Sequence, residues 1–320
     1  MPKRIVVTGA AGFIGRNVVA ELNARGVDDL ILVDHLGHDE KWRNLLGLRF
    51  EDFLNPAEYL QRHAQIEADA IIHLGACSAT TERDADFLLA NNYRYTRTLA
   101  THAVDRGVRF IYASSAATYG DGRHGYSDDD TVTPTLRPLN MYGYSKQMFD
   151  LWALKSGLLD RIVGLKYFNV FGPYEDHKGD MRSVVHKSFD QIMKTGEISL
   201  FKSYRDDFAD GEQLRDFIYV NDVVAVTLFF LEQPRVGGLF NCGTGRARSW
   251  KDLALAVFKS MNREPHIQFI EMPEVLKGKY QYFTQADVRK LRAAGYAKPF
   301  MELEDGVQDY VSQLSVQNVD

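Results

Sequence analysis

The sequence contains only two cysteines among 320 residues, Cys77 and Cys242, and they stand far apart in the chain. Neither a disulfide scaffold nor a cysteine-based zinc site is therefore expected. No apolar run reaches the ~18 residues that a membrane-spanning helix requires. The first residues also lack the pattern of a secretion signal. These absences make a cytoplasmic enzyme without a metal the first expectation for a chain of this size.

The charged residues give no sign of a nucleic-acid partner. There are 38 Lys and Arg against 43 Asp and Glu, so the formal net charge is −5. No block of like charges occurs in the chain, whereas binding to a polyanion would need a basic face. We therefore expect neither nucleic acid nor a membrane among its partners.

Short apolar runs alternate with longer helical patterns through the first half of the chain. Five runs are apolar on both faces, as buried parallel strands are: 5–7, 30–33, 70–72, 110–113 and 162–165. Three helical patterns accompany them: 12–25, 86–106 and 141–155. The alternation predicts an α/β fold, a Rossmann-type doubly wound parallel sheet with helices on both faces.

Beyond residue 168 this regular alternation ends, and polar loops follow. A strand–helix–strand pattern then returns at 217–220, 222–232 and 239–241, and we expect it to rejoin the large sheet. We therefore predict an NAD(P)-binding Rossmann domain at 1–168 and 214–243. A smaller discontinuous α/β substrate-binding lobe is predicted at 169–213 and 244–320.

A glycine-rich segment with Gly9, Gly12 and Gly15 directly follows the first predicted strand. The first glycine permits a tight turn, the second lets backbone amides approach a pyrophosphate, and the third lets the helix lie close to the sheet. Asp34 ends the second predicted strand, where a carboxylate can accept hydrogen bonds from an adenosine ribose. This combination predicts a bound nicotinamide dinucleotide, and a Rossmann domain that binds nothing is the alternative.

The choice between NAD and NADP stays open on these residues. The Asp34 carboxylate favours NAD, because it suits a free ribose hydroxyl. His35 and Lys41 follow closely, and their charges can offset that carboxylate near a 2′-phosphate. Physical reasoning from the residues therefore allows either dinucleotide.

A tyrosine and a lysine four residues apart open the third predicted helix. Tyr142 and Lys146 share a helix face, whereas Tyr144 points away. A tyrosine acts as a base near pH 7 only if its pKa falls by about 3 units, which corresponds to about 4 kcal/mol. One ammonium group about 4 Å away supplies roughly that much at an effective dielectric constant of 20. Ser114 and Ser115 follow the fourth predicted strand, where a hydroxyl can bond a substrate oxygen or simply cap a turn.

These motifs together resemble the extended short-chain dehydrogenase/reductase family, which joins a Thr-Gly-x-x-Gly-x-x-Gly loop to a Ser and a Tyr-x-x-x-Lys. Further segments narrow the resemblance to the branch that epimerises nucleotide-activated heptoses: 73–78, 91–93, 112–120, 167–173, 177–179, 241–247 and 276–287. The resemblance covers the whole chain. It implies an isomerase for lipopolysaccharide synthesis that acts on ADP-heptose with tightly held NADP. It also implies a homo-oligomer, with a pentamer among the expected forms.

The resemblance assigns roles to particular residues. It implies catalytic roles for Tyr142, Lys146, Ser115 and Lys178, with Lys178 as a second acid–base group. It implies cofactor contacts at Gly9, Gly12, Phe13, Ile14, Gly15, Asp34, His35, Lys41, Leu74, Gly75, Ala76, Cys77, Ser78, Asn91, Lys146, Val170 and Lys178. It implies substrate contacts at Ser115, Asn169, Asp180, Lys187, Phe201, Lys202, Ser203, Tyr204, Arg215 and Tyr280. Three positions depart from the family pattern, since Leu74 replaces a Glu, Pro56 a Lys and Lys187 a His.

Arg215 directly precedes Asp216 and Phe217, at the start of the strand predicted at 217–220. Its guanidinium fork can bind a diphosphate through two hydrogen bonds. An ion pair with Asp216 or with a nearby loop aspartate is the structural alternative.

Two other functions compete with a heptose epimerase. One is a nucleotide-sugar 4-epimerase or dehydratase of the same fold, although a dehydratase needs an acidic residue after Ser115, where residues 116–118 are Ala, Ala and Thr. The other is a catalytically silent NAD(P)-sensing protein. Such a protein should have lost Tyr142 or Lys146, and both are present.

Overall fold

The computed structural model describes residues 2–277 and 280–317 of the chain. Its strands, in chain order, are β1 (Ile5–Thr8), β2 (Leu30–Val33), β3 (Asp52–Leu54), β4 (Ala70–His73), β5 (Arg109–Ser115), β6 (Ile162–Tyr167), β7 (Asn169–Phe171), β8 (Ile198–Phe201), β9 (Leu214–Tyr219), β10 (Gly238–Cys242), β11 (Ala247–Ser249) and β12 (Ile267–Ile270). Its α-helices are α1 (Phe13–Ala24), α2 (Pro56–Arg62), α3 (Ala85–Leu88), α4 (Tyr95–Arg106), α5 (Met141–Lys155), α6 (Val184–Thr195), α7 (Val220–Leu231), α8 (Trp250–Ser260), α9 (Glu274–Lys277), α10 (Arg289–Ala293) and α11 (Leu303–Gln317). No helix in these ranges is long and apolar enough to cross a membrane.

Seven parallel strands form the large sheet in the order β10-β6-β5-β4-β1-β2-β3. Every residue of β1, β2 and β4 is buried, because helices cover both faces. The five apolar runs and the doubly wound sheet predicted from the sequence are confirmed. The strand order reverses beside β1, and in such sheets ligands bind at the carboxyl ends of the strands at this reversal.

The predicted helices at 12–25 and 141–155 correspond to α1 and α5. The predicted helix at 86–106 is not uniform, because a π-helical turn at Leu89–Arg94 separates α3 from α4. Apolar periodicity locates a helix but does not reveal one extra residue in a turn. Such π turns often lie at functional sites.

The strand expected at 217–220 does not rejoin the large sheet, so that expectation is wrong. It is part of β9, which pairs with β7 and β11 in a separate three-stranded sheet, while Val220 already begins α7. An apolar run indicates burial but does not indicate which strand it pairs with. β10 does return to the large sheet beside β6. The residue limits of the two domains stay a prediction.

The start of α1 lies where two hydrophobic cores meet. One core includes residues of β1, β2, α1 and α7, and the other lies among α6, α8 and α11. Phe13 belongs to the second core, and Ile14 and Val170 pack against both. The glycine loop therefore lies at the junction between the large sheet and the smaller sheets.

Candidate active site

The glycine loop between β1 and α1 requires glycine at two positions for steric reasons. Gly9 has a φ of +70°, and a Cβ there would lie 2.7 Å from the backbone nitrogen of Gly75. A Cβ on Gly15 would lie 2.0 Å from the carbonyl oxygen of Gly9. Gly12 is the N-cap of α1 and has no side chain to bond its first amides. The loop thus fits a pyrophosphate, which these amides and the helix dipole attract.

Asp34 follows β2 and faces this loop, with 8% of the residue exposed. Its Oδ2 accepts a hydrogen bond from the Ala11 amide at 2.9 Å. Its Oδ1 accepts bonds from Lys41 Nζ and from the His35 amide, both at 2.7 Å. The Lys41 ammonium therefore neutralises the carboxylate that was predicted to bind the adenosine ribose.

The segment after β4, which includes the predicted cofactor contacts 74–78, is held by the π turn. Asn92 is buried and bonds both the amide and the carbonyl of Cys77, at 2.9 and 3.0 Å. Its side-chain nitrogen also donates to Ser145 Oγ on α5 at 3.0 Å. The family resemblance implies a cofactor contact at the neighbouring Asn91 and not at Asn92, since two adjacent asparagines are indistinguishable without the geometry.

Tyr142 and Lys146 lie one helical turn apart on α5, and Ser115 at the end of β5 bonds Tyr142. Lys146 is 6% exposed, its Nζ donates to the carbonyl of Ala113 at 2.8 Å, and burial lowers its pKa to about 8. Tyr142 is half-buried, and burial raises its pKa while a hydrogen bond with Ser115 opposes the rise. Burial therefore outweighs the effect of Ser115 on the pKa of Tyr142 in this structure.

The two serines after β5 have separate roles. Ser114 Oγ donates to Asp150 Oδ2 at 2.7 Å and so belongs to the protein interior. Ser115 Oγ accepts a bond from the Ala117 amide at 3.1 Å and also bonds Tyr142. Ser115 therefore both caps the turn and presents its hydroxyl beside the tyrosine.

Lys178 lies on a 3₁₀ helix, Asp176–Met181, where the sequence suggested a polar loop. Only 22% of its side chain is exposed, and its Nζ is 5.1 Å from the centre of the Phe13 ring and 3.8 Å from Glu175 Oε2. Burial lowers the pKa of Lys178, and Glu175 opposes this effect. The side chain of Lys178 therefore lies against the start of α1 and is not a solvated loop charge.

A neighbouring contact ties this segment to the glycine loop. The side-chain nitrogen of the buried Asn44 donates to the Ala11 carbonyl at 2.9 Å and lies 3.2 Å from His177 Nδ1. Neither Asn44 nor the buried Glu175 was predicted, because the partners of Asn44 and the Tyr310 partner of Glu175 lie far away along the chain.

Arg215 is buried, with 6% exposed, and its donors meet carbonyl groups of Leu214 and Gln281. Its guanidinium carbon lies 5.0 and 5.6 Å from the ring centres of Tyr280 and Trp250. Among the described residues no carboxylate lies within ion-pair distance of it. A buried cation without a counter-ion is well suited to an anionic ligand.

The alternative ion pair between Arg215 and Asp216 does not form. The carboxylate of Asp216 instead accepts hydrogen bonds from the amides of Thr244, Gly245 and Ala286, at 2.7 to 2.9 Å. That alternative is therefore wrong, because neighbouring residues on a strand point to opposite faces.

The remaining predicted substrate residues lie on nearby segments, and their roles stay predictions. Lys202 forms an exposed ion pair with Glu271 at 2.7 Å, and the Tyr204 hydroxyl bonds the same carboxylate. Lys187 Nζ donates to the carbonyl of Asp180. Asn169 begins β7, and Phe201 ends β8 with its ring centre 6.4 Å from that of Tyr280. The Ser203 amide donates a hydrogen bond to Asp210. Residues 278–279 of the 276–287 motif lie outside the described residues.

Comparison with known proteins gives consistent results. The model of the NAD dependent epimerase/dehydratase family matches residues 5–243. An ADP-L-glycero-D-manno-heptose-6-epimerase of Nitratidesulfovibrio vulgaris is 56% identical over 310 residues, which cover 96% of each chain. One from Fusobacterium nucleatum is 47% identical over 322 residues, again covering 96% of each.

Solved structures are similar over nearly the whole chain. The crystal structure of Helicobacter pylori ADP-L-glycero-D-manno-heptose-6-epimerase matches with a TM-score of 0.81 and 28% identity, covering 98% of this chain and 96% of that one. UDP-glucuronic acid 4-epimerase from Bacillus cereus, in complex with UDP-glucuronic acid and NAD, matches with a TM-score of 0.78 and 26% identity, covering 97% and 99%.

Proposed function

This chain belongs to the NAD dependent epimerase/dehydratase family, and we propose that it converts ADP-D-glycero-D-manno-heptose into ADP-L-glycero-D-manno-heptose for lipopolysaccharide inner-core synthesis. The names of relatives at 47 to 56% identity support this substrate. The observation that carries the chemistry is the position of Lys178. It is half-buried beside Phe13 at the start of α1, which supports its role as a second acid–base group besides Tyr142.

Inversion of carbon 6 proceeds by oxidation to a ketone and reduction from the opposite face. A bound nicotinamide dinucleotide supplies hydride transfer in both directions. Carbon 6 lies outside the sugar ring, so rotation about one bond presents the other face without release of the sugar. Each hydride transfer requires a proton transfer at the oxygen, and Tyr142 and Lys178 serve one face each.

The surrounding residues orient the reacting groups. Ser115 bonds Tyr142 and holds the substrate oxygen, while Lys146 is held at the Ala113 carbonyl one helical turn from Tyr142. Arg215 binds the diphosphate through its guanidinium fork, since its protein partners are neutral carbonyls.

The cofactor in this proposal is NADP. Support comes from the 2.7 Å contact between Lys41 and Asp34, which removes the negative charge that would repel a 2′-phosphate. The exposed side chain of His35 lies next to this pair along the chain. A cytoplasmic location and a homo-oligomer, with a pentamer among its forms, remain predictions.

The test is conversion of nucleotide sugars by the purified protein without added cofactor. ADP-D-glycero-D-manno-heptose should be converted to its C6 epimer, whereas UDP-glucose and UDP-glucuronic acid should remain unchanged. Conversion of a UDP-sugar alone would show a 4-epimerase. A protein that binds dinucleotide but converts none of these sugars would be a sensing protein.

A further inference from the structure

A chain of buried polar side chains leads from Lys178 to the protein surface. Glu175, Tyr310 and His186 are 0, 1 and 4% exposed, although they come from three separate segments. The Tyr310 hydroxyl donates to Glu175 Oε1 at 3.0 Å and lies 2.9 Å from His186 Nδ1. Lys178 Nζ is 3.8 Å from the other oxygen of the same carboxylate. These contacts bring the C-terminal helix α11 to the proposed second acid–base group.

At the surface end of this series of side chains, a contact with Arg182 determines which nitrogen of His186 carries the proton. Arg182 Nη1 lies 2.8 Å from His186 Nε2, and an arginine can only donate. Nε2 therefore accepts, so Nδ1 carries the hydrogen and donates to the Tyr310 oxygen. Since Tyr310 donates in turn to Glu175, both bonds point towards Lys178. Asp176 and Asp190 lie 3.8 and 3.7 Å from Nε2 and are exposed to solvent.

A two-base epimerase needs such a connection for reasons of proton balance. In each turnover one group takes the hydroxyl proton from carbon 6, and the other gives a proton to the ketone oxygen. The hydride leaves and returns, so the sugar and the cofactor end unchanged in redox state. The protonation states of the two acid–base groups do change, because one group has gained a proton and the other has lost one. Both must exchange with solvent before the next turnover in the same direction.

We propose that Glu175, Tyr310 and His186 form a proton relay that restores Lys178 after each turnover. The proposal rests on the proposed function, in which Lys178 is the second acid–base group. When Lys178 has lost its proton, His186 takes one from solvent at Nε2 as Arg182 moves aside and passes the Nδ1 proton to Tyr310. Tyr310 passes its own proton to Glu175, which delivers it to the lysine amine. These transfers leave His186 with its proton at Nε2 and Nδ1 free. When Lys178 has gained a proton, the transfers run in reverse from this form of His186, which takes the Tyr310 proton at Nδ1 and releases the Nε2 proton to solvent.

The contacts around the relay support transfer through Glu175. The Ser183 amide donates to Glu175 Oε2 at 2.7 Å and its hydroxyl bonds Oε1, which holds the carboxylate between Lys178 and Tyr310. Lys178 itself faces the Phe13 ring, Glu175 and the charge of Lys187. A movement of about 1 Å brings Nζ from 3.8 Å to hydrogen-bond distance of Oε2.

The test is steady-state and single-turnover kinetics of Tyr310→Phe, with the cofactor that co-purifies. The assay uses ADP-heptose in buffer too dilute to carry protons. We expect kcat of the variant to fall at least about tenfold there, which is less than the ~100-fold loss expected when acid–base catalysis itself is removed. KM should fall in the same proportion, so that kcat/KM keeps its wild-type value, and kcat should recover as imidazole is added. The first turnover should keep the wild-type rate, because each molecule begins correctly protonated. His186→Gln should behave in the same way and serves if Tyr310→Phe does not fold.

Tyr219→Phe is the matched control. The Tyr219 hydroxyl also bonds a carboxylate of α11, that of Asp309, but it has no contact with Glu175. This variant should keep the wild-type kcat at every buffer concentration. A wild-type kcat of both relay variants in dilute buffer would overturn the relay. So would a slowed first turnover, which would mean that Tyr310 only positions Lys178. Wild-type turnover by Lys178→Met would instead overturn the two-base mechanism on which the relay rests. Failure of the wild-type protein to convert ADP-heptose would overturn the proposed function.

Discussion

Lys166 and Asp150 form an ion pair 2.7 Å long with 1 and 0% of their side chains exposed. Lys166 is on β6, and Asp150 is on α5, one helical turn after Lys146. Asp150 also accepts hydrogen bonds from the Tyr112 and Ser114 hydroxyls, at 2.8 and 2.7 Å. The carboxylate is thus bonded on both oxygens and shielded from solvent, and it links the sheet to the helix that carries the proposed base.

Removing the cation from this pair should destabilise the protein strongly. Lys166→Met leaves Asp150 charged and buried without its cation, which should lower the free energy of unfolding by about 3–5 kcal/mol in urea denaturation. Lys166→Met combined with Asp150→Leu should recover part of this loss. The control is Arg123→Met, because its exposed pair with Asp121 is screened by solvent and should contribute little to stability. Equal losses for Lys166→Met and Arg123→Met would contradict the argument.

The two proposed acid–base groups should both be required for epimerisation. Tyr142→Phe and Lys178→Met should each lower turnover of ADP-heptose at least about a hundredfold, since each removes one proton transfer. Melting temperature and cofactor content should stay near the wild-type values. The controls are Tyr144→Phe on α5 and Lys194→Met on α6, which are both exposed. If Lys178→Met keeps its turnover, Tyr142 serves both faces and the two-base mechanism is wrong.

Arg215 should determine substrate affinity. Lys cannot reproduce the two-pronged contact of a guanidinium group with a diphosphate, so Arg215→Lys should raise KM for ADP-heptose at least about tenfold. The cofactor content after purification should not change. Arg248→Lys is the control. Arg248 on β11 lies opposite Arg215 on β9 but forms ion pairs with Asp252 and Glu304. An unchanged KM for Arg215→Lys would exclude the diphosphate role.

The dinucleotide should remain bound during purification and should be mostly NADP. Nucleotides released by denaturing the protein can be identified by chromatography. Lys41→Ala should shift the bound fraction towards NAD, because Asp34 then regains its uncompensated charge. Arg43→Ala is the control, since its partner is the exposed Glu40. Protein that releases no nucleotide, and whose melting temperature responds to neither NADP nor NAD, would contradict the cofactor assignment.

His73 should make the fold sensitive to acid. It bridges Thr8 and Thr96 in the interior, and burial lowers its pKa from 6.5 to about 3. Below pH 6.5 the unfolded chain binds a proton at this residue that the folded protein does not bind. Stability should therefore fall as the pH drops from about 6.5 towards 3, by up to about 1.4 kcal/mol per pH unit.

Urea denaturation between pH 6.5 and 4.5 measures this dependence. His73→Gln keeps a hydrogen-bonding side chain but cannot titrate, so it should flatten the slope by the contribution of one proton. His124→Gln, at an exposed position, should leave the slope unchanged. A wild-type slope in His73→Gln would show that other groups cause the acid sensitivity.

Much of the fold and of the candidate site could be predicted because it depends on residues close together in the chain. The apolar runs predict six strands of the seven-stranded sheet, all but β3. The spacing of Gly9, Gly12 and Gly15 follows from the turn between β1 and α1. Tyr142 and Lys146 share a face because an α-helix repeats every 3.6 residues. Each of these features can be derived from local geometry.

The tertiary structure alone decided the partners and the burial of the charged groups. β9 pairs with β7 and not with the large sheet. Arg215 donates to carbonyl groups and not to Asp216, and Lys178 lies beside Phe13. Glu175 and Tyr310 meet across 135 positions of sequence. A side chain's pKa and its hydrogen bonds depend on which distant segments pack around it, and local sequence patterns do not contain that information.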